Sequence, residues 1–352
     1  MRTWLGALCL LMSALPVSTG VFCVVDARAA TPRSLDADLL ASAKTQAASL
    51  SRLHALIVAR DGKILFERAF RGPSLDTPVN VKSVSKSVIS ALVGIAVERG
   101  AIDGPDQAIA ALLPDRLPPR PDSRLSRITI DHLLSMRAGL ERTSGRNYGR
   151  WVQSRDWVRH VLSRPFTDEP GGPMRYSTGN THLLSAILTR TTGQDTHALA
   201  TDWLGQPLGI DIPSWQRDPQ GIFMGGNNMR LSARALFRFG ELYRNGGAAN
   251  GKQILSESWI RASWTPRTHS PFSGDAYGYG WFIASACQHD VFYARGFGGQ
   301  FVHVVPSLGM TVVITSGTAT RTRVGGYRTA LTSLLKDYLI AAALKADGLS
   351  CR

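Results

Sequence analysis

The sequence predicts an α+β fold: one antiparallel β-sheet built from both chain ends and flanked by helices, with a mostly helical subdomain inserted between the ends. Three observations carry that expectation. Strand-like runs cluster near the two ends, the first pair is joined by an Asp-Gly hairpin signal, and the middle of the chain alternates helical patterns with long loops rich in Gly, Pro and Arg. With 44% apolar and 19% charged residues among 352, the composition suits a packed core and excludes disordered, collagen-like and fibrous chains.

In chain order, the first 29 residues read as a targeting segment. Arg2 gives a positive start, Trp4 to Val17 is apolar, and Ala27-Arg28-Ala29 places small residues where a signal peptidase reads them. Ser18, Thr19 and Gly20 interrupt the apolar run before it reaches the roughly 20 residues that span a bilayer. Cleavage after Ala29 and export, to the periplasm or beyond, are expected, with residues 30–352 as one mature domain. Its sheet part is expected at about 35–100 and 260–346, and its helical part at about 101–259.

A helical lead-in at Leu35 to Leu50 precedes Leu56-Ile57-Val58-Ala59 and Ile64-Leu65-Phe66-Glu67, two β-rich runs around Asp61-Gly62. Ser83 to Glu98 carries apolar residues at helical spacing and ends at Gly100, so it reads as a buried helix. Helices are expected at Ile130–Leu140, Trp151–Leu162, Thr181–Thr191 and Ser232–Asn245. Strands return at Trp281–Ala284, Val291–Arg295, Gln300–Val305 and Thr311–Thr315, and Tyr327–Lys345 closes the chain as a helix.

Lys and Arg total 40 against 26 Asp and Glu, a net charge of +14. No basic block of the kind that marks a nucleic-acid arm occurs, so no nucleic-acid partner is expected. An exported cation is expected to make weak contact with anionic envelope polymers. Loss of the leader removes Cys9 and Cys23, and in an oxidising compartment the remaining pair, Cys287 and Cys351, is expected to form a disulfide. No metal-ligand spacing is present, and neither a metal nor another cofactor is expected.

Two motif matches need weighing. Gly246 to Lys252 resembles a phosphate loop but ends in Gln253 and follows a helix, which makes it a turn. Ser83-Val84-Ser85-Lys86 has another character. At a helix start, residues three apart share a face, so the Ser83 hydroxyl and the Lys86 amine can meet, and apolar neighbours would desolvate the amine into a base. The same spacing recurs at Ser333 and Lys336, inside the C-terminal helix, where nothing opens the serine to a substrate. Tyr176, after the loop Pro170-Gly171-Gly172-Pro173, places a phenol at a loop-to-helix junction. Arg295-Gly296-Phe297-Gly298-Gly299-Gln300 opens a strand with three glycines, where a backbone N–H can approach a reacting carbonyl.

Ser-x-x-Lys, then Tyr-Ser about 90 residues on, then a glycine-bearing strand near the C-terminus is the order of the penicillin-recognising serine hydrolases. The sequence resembles their class C β-lactamase-related branch, with a β-lactamase/transpeptidase-like fold, and within it the esterases and 6-aminohexanoate-dimer hydrolases. The likeness extends to Ile128–Leu140, Tyr176–Thr181, Gly225–Met229 and Tyr277–Trp281. It implies that Ser83 is the acylated nucleophile, Lys86 its base and Tyr176 the proton relay, with the N–H groups of Ser83 and Gln300 as the oxyanion hole. Asn180, Arg295, Phe297, Gly298 and Gly299 are the implied substrate-binding positions. Thr178 stands where class C enzymes carry Asn, and Phe297 where the third motif carries Lys or His. Both departures bear on β-lactam handling rather than on acyl-enzyme chemistry.

His132, His182 and His303 fall in elements that pack, and the Ser, Lys and Tyr set leaves them no catalytic vacancy. The expected function is an exported serine hydrolase acting on a small-molecule amide or ester. A D-alanyl peptidase or β-lactamase is the rival enzyme reading, and a non-turnover, sensor-like penicillin-binding protein the rival of another class. Oligomeric state is not written in the sequence.

Overall fold

The computed structural model describes residues 33–318 and 324–351; the leader expected at residues 1–29 lies outside them. Eight strands form one antiparallel sheet: β1 Leu53–Arg60, β2 Lys63–Ala69, β3 Thr268–His269, β4 Ala276–Tyr277, β5 Phe282–Ala286, β6 His289–Gly296, β7 Gln300–Val305 and β8 Met310–Ser316. Their order across the sheet is β2-β1-β8-β7-β6-β5-β4-β3, so the two chain ends meet at its second and third strands. The principal helices are α1 Ala37–Ser49, α2 Ser85–Glu98, α3 Thr178–Thr192, α4 Ala233–Arg244 and α5 Val324–Ser333, the last continuing to Ala346 through a wider turn at Leu334–Ile340.

The sheet separates two cores because side chains alternate across it. Ile57, Val302 and Val313 point to the core shared with α2, α3 and α4. Leu56, Phe301 and Ile314 point to a second core, closed by α1 and the C-terminal helix. Cys287 and Cys351 are joined by a disulfide with a Cα–Cα separation of 4.7 Å, which ties the tail to the β5–β6 turn.

Several sequence expectations need correction. The helix placed at Ile130–Leu140 stops at Leu134. Met136 takes a φ of 63°. Leu140 then bridges to Phe166. The buried residues Met136, Ala138 and Leu140 recur every second position, the period of extended chain rather than helix. Trp151–Leu162 is two short helices, Tyr148–Val152 and Trp157–Leu162, the second capped by Asp156, which accepts a hydrogen bond from Arg159 N–H at 2.9 Å. Short helices at Thr196–Ala200 and Glu257–Ser263 and the two-residue edge strands β3 and β4 escaped the pattern reading. Gly246–Lys252 is a turn, closed by the two-residue strands Ala248–Ala249 and Lys252–Gln253.

Candidate active site

The segment before α2 is held in an uncommon shape. Val79–Asn80 pairs with Arg230–Leu231, and Val81 N–H donates to Met229 O at 3.0 Å. Lys82 follows with a φ of 53°. A left-handed conformation outside glycine costs on the order of 1–3 kcal/mol and persists only where its surroundings enforce it. Here the Asn80 side chain does so, accepting from Lys82 N–H at 2.9 Å. The consequence is local: Ser83 sits on a tight 3-10 turn, Lys82–Val84, half-buried at the mouth of α2.

Lys86 is one turn further on and 1% exposed. Its Nζ donates to Gly226 O at 2.6 Å, to Ser83 Oγ at 3.1 Å and to Thr178 Oγ1 at 3.4 Å. The carbonyl can come so close because residue 226 is glycine: a Cβ there would lie 2.0 Å from Thr181 Oγ1. No described carboxylate pairs with the Lys86 amine, and burial pushes it from the usual lysine range down to about 7. Near neutral pH a large share of it is therefore uncharged, with a lone pair available at hydrogen-bond distance from a serine hydroxyl.

Tyr176 reaches the same hydroxyl from the loop before α3. Burial pushes its phenol up to about 12, against the opposing pull of its hydrogen bond with Ser83 and the positive charge of Arg295. It keeps its proton at pH 7, which makes it a donor where Lys86 is an acceptor. Lys86 Nζ also lies 5.0 Å over the Tyr176 ring, which is stacked on Phe282 at 6.1 Å and set edge-on to Tyr277 at 6.1 Å. Thr178, the position where related enzymes carry Asn, ties the site to the helical half: its N–H donates to Ser144 Oγ at 2.8 Å, and its hydroxyl lies 3.0 Å from the same atom.

The structure thus brings Ser83, Lys86 and Tyr176 together. Gln300 is buried at the start of β7, and its side chain clamps the Ser316 backbone, donating at 2.6 Å and accepting at 3.1 Å. Gly296, at the end of β6, packs on the segment just before the serine: a Cβ there would fall 2.2 Å from Val81 O and 3.1 Å from Lys82 Cβ. Asn180 is 2% exposed within α3, and Thr178 reaches Lys86. Arg295, Phe297, Gly298 and Gly299 line a small cavity of about 50 Å³ with Arg52 and Tyr327. The three histidines are engaged elsewhere. His132 Nδ1 accepts from Thr129 N–H, His182 pairs with Asp218 in the core, and His303 is pushed down to about 3 by burial.

The sequence reading missed Thr178 and Ser144 as supports of Lys86, and the Gly226 carbonyl as its nearest partner. The doublet Gly225-Gly226 was the available signal. Adjacent glycines beside a short helical segment mark a close backbone approach, here to Thr181 of α3.

Comparison with known proteins follows the same lines. A family model described as Beta-lactamase matches residues 51–335. Esterase EstB of Burkholderia gladioli is 32% identical over 178 residues, 44% of this chain and 44% of that protein. The 6-aminohexanoate-dimer hydrolase of Paenarthrobacter ureafaciens is 27% identical over 222 residues, 59% of this chain and 56% of its own. The chain therefore spans about half the length of the curated relatives it matches. Among solved structures, EstCE1, a hydrolase with promiscuous acyltransferase activity, shares the fold with a TM-score of 0.68 at 20% identity, over 85% of this chain and 98% of that one.

Proposed function

Because the chain belongs to the Beta-lactamase family, we propose that it is a serine hydrolase that cleaves an ester or amide through an acyl-enzyme on Ser83. The observation that carries the reading is the buried Lys86 amine, without an acidic partner among the described residues and 3.1 Å from Ser83 Oγ. Ser83 Oγ attacks the carbonyl carbon and its proton passes to Lys86 Nζ. The bond to the leaving oxygen or nitrogen breaks as the Tyr176 hydroxyl gives that atom a proton, and the lysine ammonium restores the tyrosine. Water then repeats the sequence on acyl-Ser83 and releases the acid. The developing oxyanion is held by the backbone N–H groups of Ser83 and Gln300.

Phe297 and Gly298 stand where related enzymes carry the cation and hydroxyl that hold a substrate carboxylate beside the scissile bond. Loss of a charge-assisted hydrogen bond costs roughly 1.5–3 kcal/mol, one to two decades in efficiency. A panel of short p-nitrophenyl esters, linear amides, D-Ala-D-Ala peptides and nitrocefin is the test, with Ser83→Ala as the control. Esters or amides are expected to be turned over at least about tenfold more efficiently than nitrocefin. Equal or better nitrocefin turnover would put a β-lactamase or D-alanyl peptidase first, with Arg295, two positions before Phe297 and so on the same strand face, in the role of the missing cation. Binding without turnover of any member would favour a sensor.

Export belongs to the same proposal. It is supported by the leader pattern of residues 1–29 and by the Cys287–Cys351 disulfide, a bond that persists in oxidising compartments. Weak contact with anionic envelope polymers rests on the net charge alone.

A further inference from the structure

The turn that carries Ser83 is gripped on both sides by one segment, Gly226 to Leu231. Before the serine, Val79–Asn80 pairs with Arg230–Leu231, and Val81 N–H donates to Met229 O at 3.0 Å. After it, Met229 N–H donates to Ser85 Oγ at 3.2 Å, Ser85 Oγ donates to Lys82 O at 2.6 Å, and Lys86 Nζ donates to Gly226 O at 2.6 Å. Nucleophile and base therefore take their positions from the same stretch of chain.

Each of the two segments holds a residue in the left-handed region, Lys82 with a φ of 53° and Asn228 with a φ of 66°. Glycine would adopt that conformation more freely than either. What Asn228 adds over a glycine is its amide. Its Oδ1 accepts from Asn80 Nδ2 at 3.0 Å, and its Nδ2 donates to Gln216 Oε1 at 2.8 Å. Asn80 Oδ1 in turn accepts from Lys82 N–H at 2.9 Å.

The direction of this row of amides is fixed from one end. A backbone N–H can only donate, so the Asn80 oxygen must face Lys82 and the Asn80 NH2 group must face away. That NH2 group needs an acceptor, and Asn228 presents one. An Asn80 amide turned the other way would set its NH2 group against the Lys82 N–H. The Asn228 oxygen thus selects the end of Asn80 that meets the strained residue beside the nucleophile, and strain of that kind persists only while its surroundings enforce it.

We propose that Asn228 is a positioning residue for the reaction: acting through Asn80, it holds the Lys82 turn and so keeps Ser83 Oγ within reach of Lys86 Nζ. The proposal rests on the assignment of Ser83 and Lys86 above and deepens it. Asn228 acts through another side chain and not on the reacting atoms, so its loss falls on kcat rather than on KM.

Asn228→Gly tests it, because glycine accepts the same backbone shape and removes only the amide. With a short p-nitrophenyl ester, kcat is expected to fall about tenfold, with KM within about twofold and Tm within about three degrees. Asn228→Asp keeps an oxygen for Asn80, and the exposed Gln216 can turn its own NH2 group toward it. This variant is expected to recover kcat to within about threefold of the parent. Asn80→Ala should cost at least as much as Asn228→Gly, and combining the two should add no more than about twofold, because the outer residue works only through the inner one. Should Asn80→Ala fail to fold, the contrast between Asn228→Gly and Asn228→Asp decides the matter alone. The rate of fluorophosphonate labelling, with the label mapped to its peptide, should fall in parallel with kcat. Unchanged kcat in Asn228→Gly, a loss confined to KM or Tm, no recovery in Asn228→Asp, or additive losses in the double variant overturns the proposal with Ser83 still in place. A label that maps away from Ser83 in the parent protein would instead overturn the nucleophile.

Discussion

Ser83 and Lys86 stand three residues apart at the start of one helix, and Ser333 and Lys336 stand three residues apart along another. In the first pair the lysine is 1% exposed, faces a backbone carbonyl and the serine hydroxyl, and has lost much of its basicity to burial. In the second pair the lysine is exposed and the serine hydroxyl donates to Asp337 at 2.6 Å. Spacing brings a hydroxyl and an amine to one helix face. Reactivity needs, in addition, an amine stripped of water and acids, and a serine turned outward by a strained residue such as Lys82.

The comparison breaks most sharply at the nucleophile. Ser83→Ala should lower turnover by several orders of magnitude and abolish labelling by a fluorophosphonate, and Lys86→Ala should cost about as much because the two act as a unit. A label that stays, or that maps to Ser333, would equate the pairs again. Tyr176→Phe removes one hydroxyl and should lower the rate about 10²–10⁴-fold with little change in Tm; unchanged turnover would reduce Tyr176 to a packing residue.

The pH profile of kcat/KM sharpens the distinction further. In the proposed mechanism Lys86 acts as a base only when neutral, and burial pushes its amine down to about 7, so activity should rise with pH through that value and fall about tenfold per unit below it. An ordinary, exposed lysine would place the same limb above pH 10. Thr178→Val deletes the hydroxyl between Lys86 and Ser144, and a loss of about three- to tenfold is expected in the steady-state rate. The smallest effect is the most telling for the second pair: Ser333→Ala should leave turnover of a simple acetate ester within about twofold and lower Tm by no more than a degree or two.

What the sequence made legible was local. Asp61-Gly62 between β-rich runs announced the first hairpin, and the apolar spacing after Ser83 announced α2, because a turn residue and a helical period are properties of neighbouring positions. The Met136–Leu140 stretch failed because an apolar run that short supports two periods, and contact with Phe166 decides between them. The site followed the same rule. Ser83 and Lys86 share one helix, whereas the hold of Thr178 on Lys86 and the approach of Gly296 to Val81 arise between segments about 90 and 215 positions apart, where no local pattern reaches.

The pairing of β1 with β8, from Leu53 beside Ser316 to Arg60 beside Met310, has a consequence in time. Until Met310 to Ser316 have been synthesised, β1 and β2 are a lone hairpin, and two strands are marginally stable in water. Every nascent chain shorter than that lacks the strand that joins the first hairpin to the rest of the sheet, and its lead-in helix lacks the C-terminal helix on which it packs. Folding is therefore deferred to the last tenth or so of elongation, and the long closure makes it slow once it starts. Such a chain can be threaded through a translocation pore before it acquires a structure that would block passage. Proteolysis of nested C-terminal truncations reads this timing: resistance should appear in one step when β8 is complete, and gradual protection from the N-terminus onward would show that the helical middle folds ahead of the sheet.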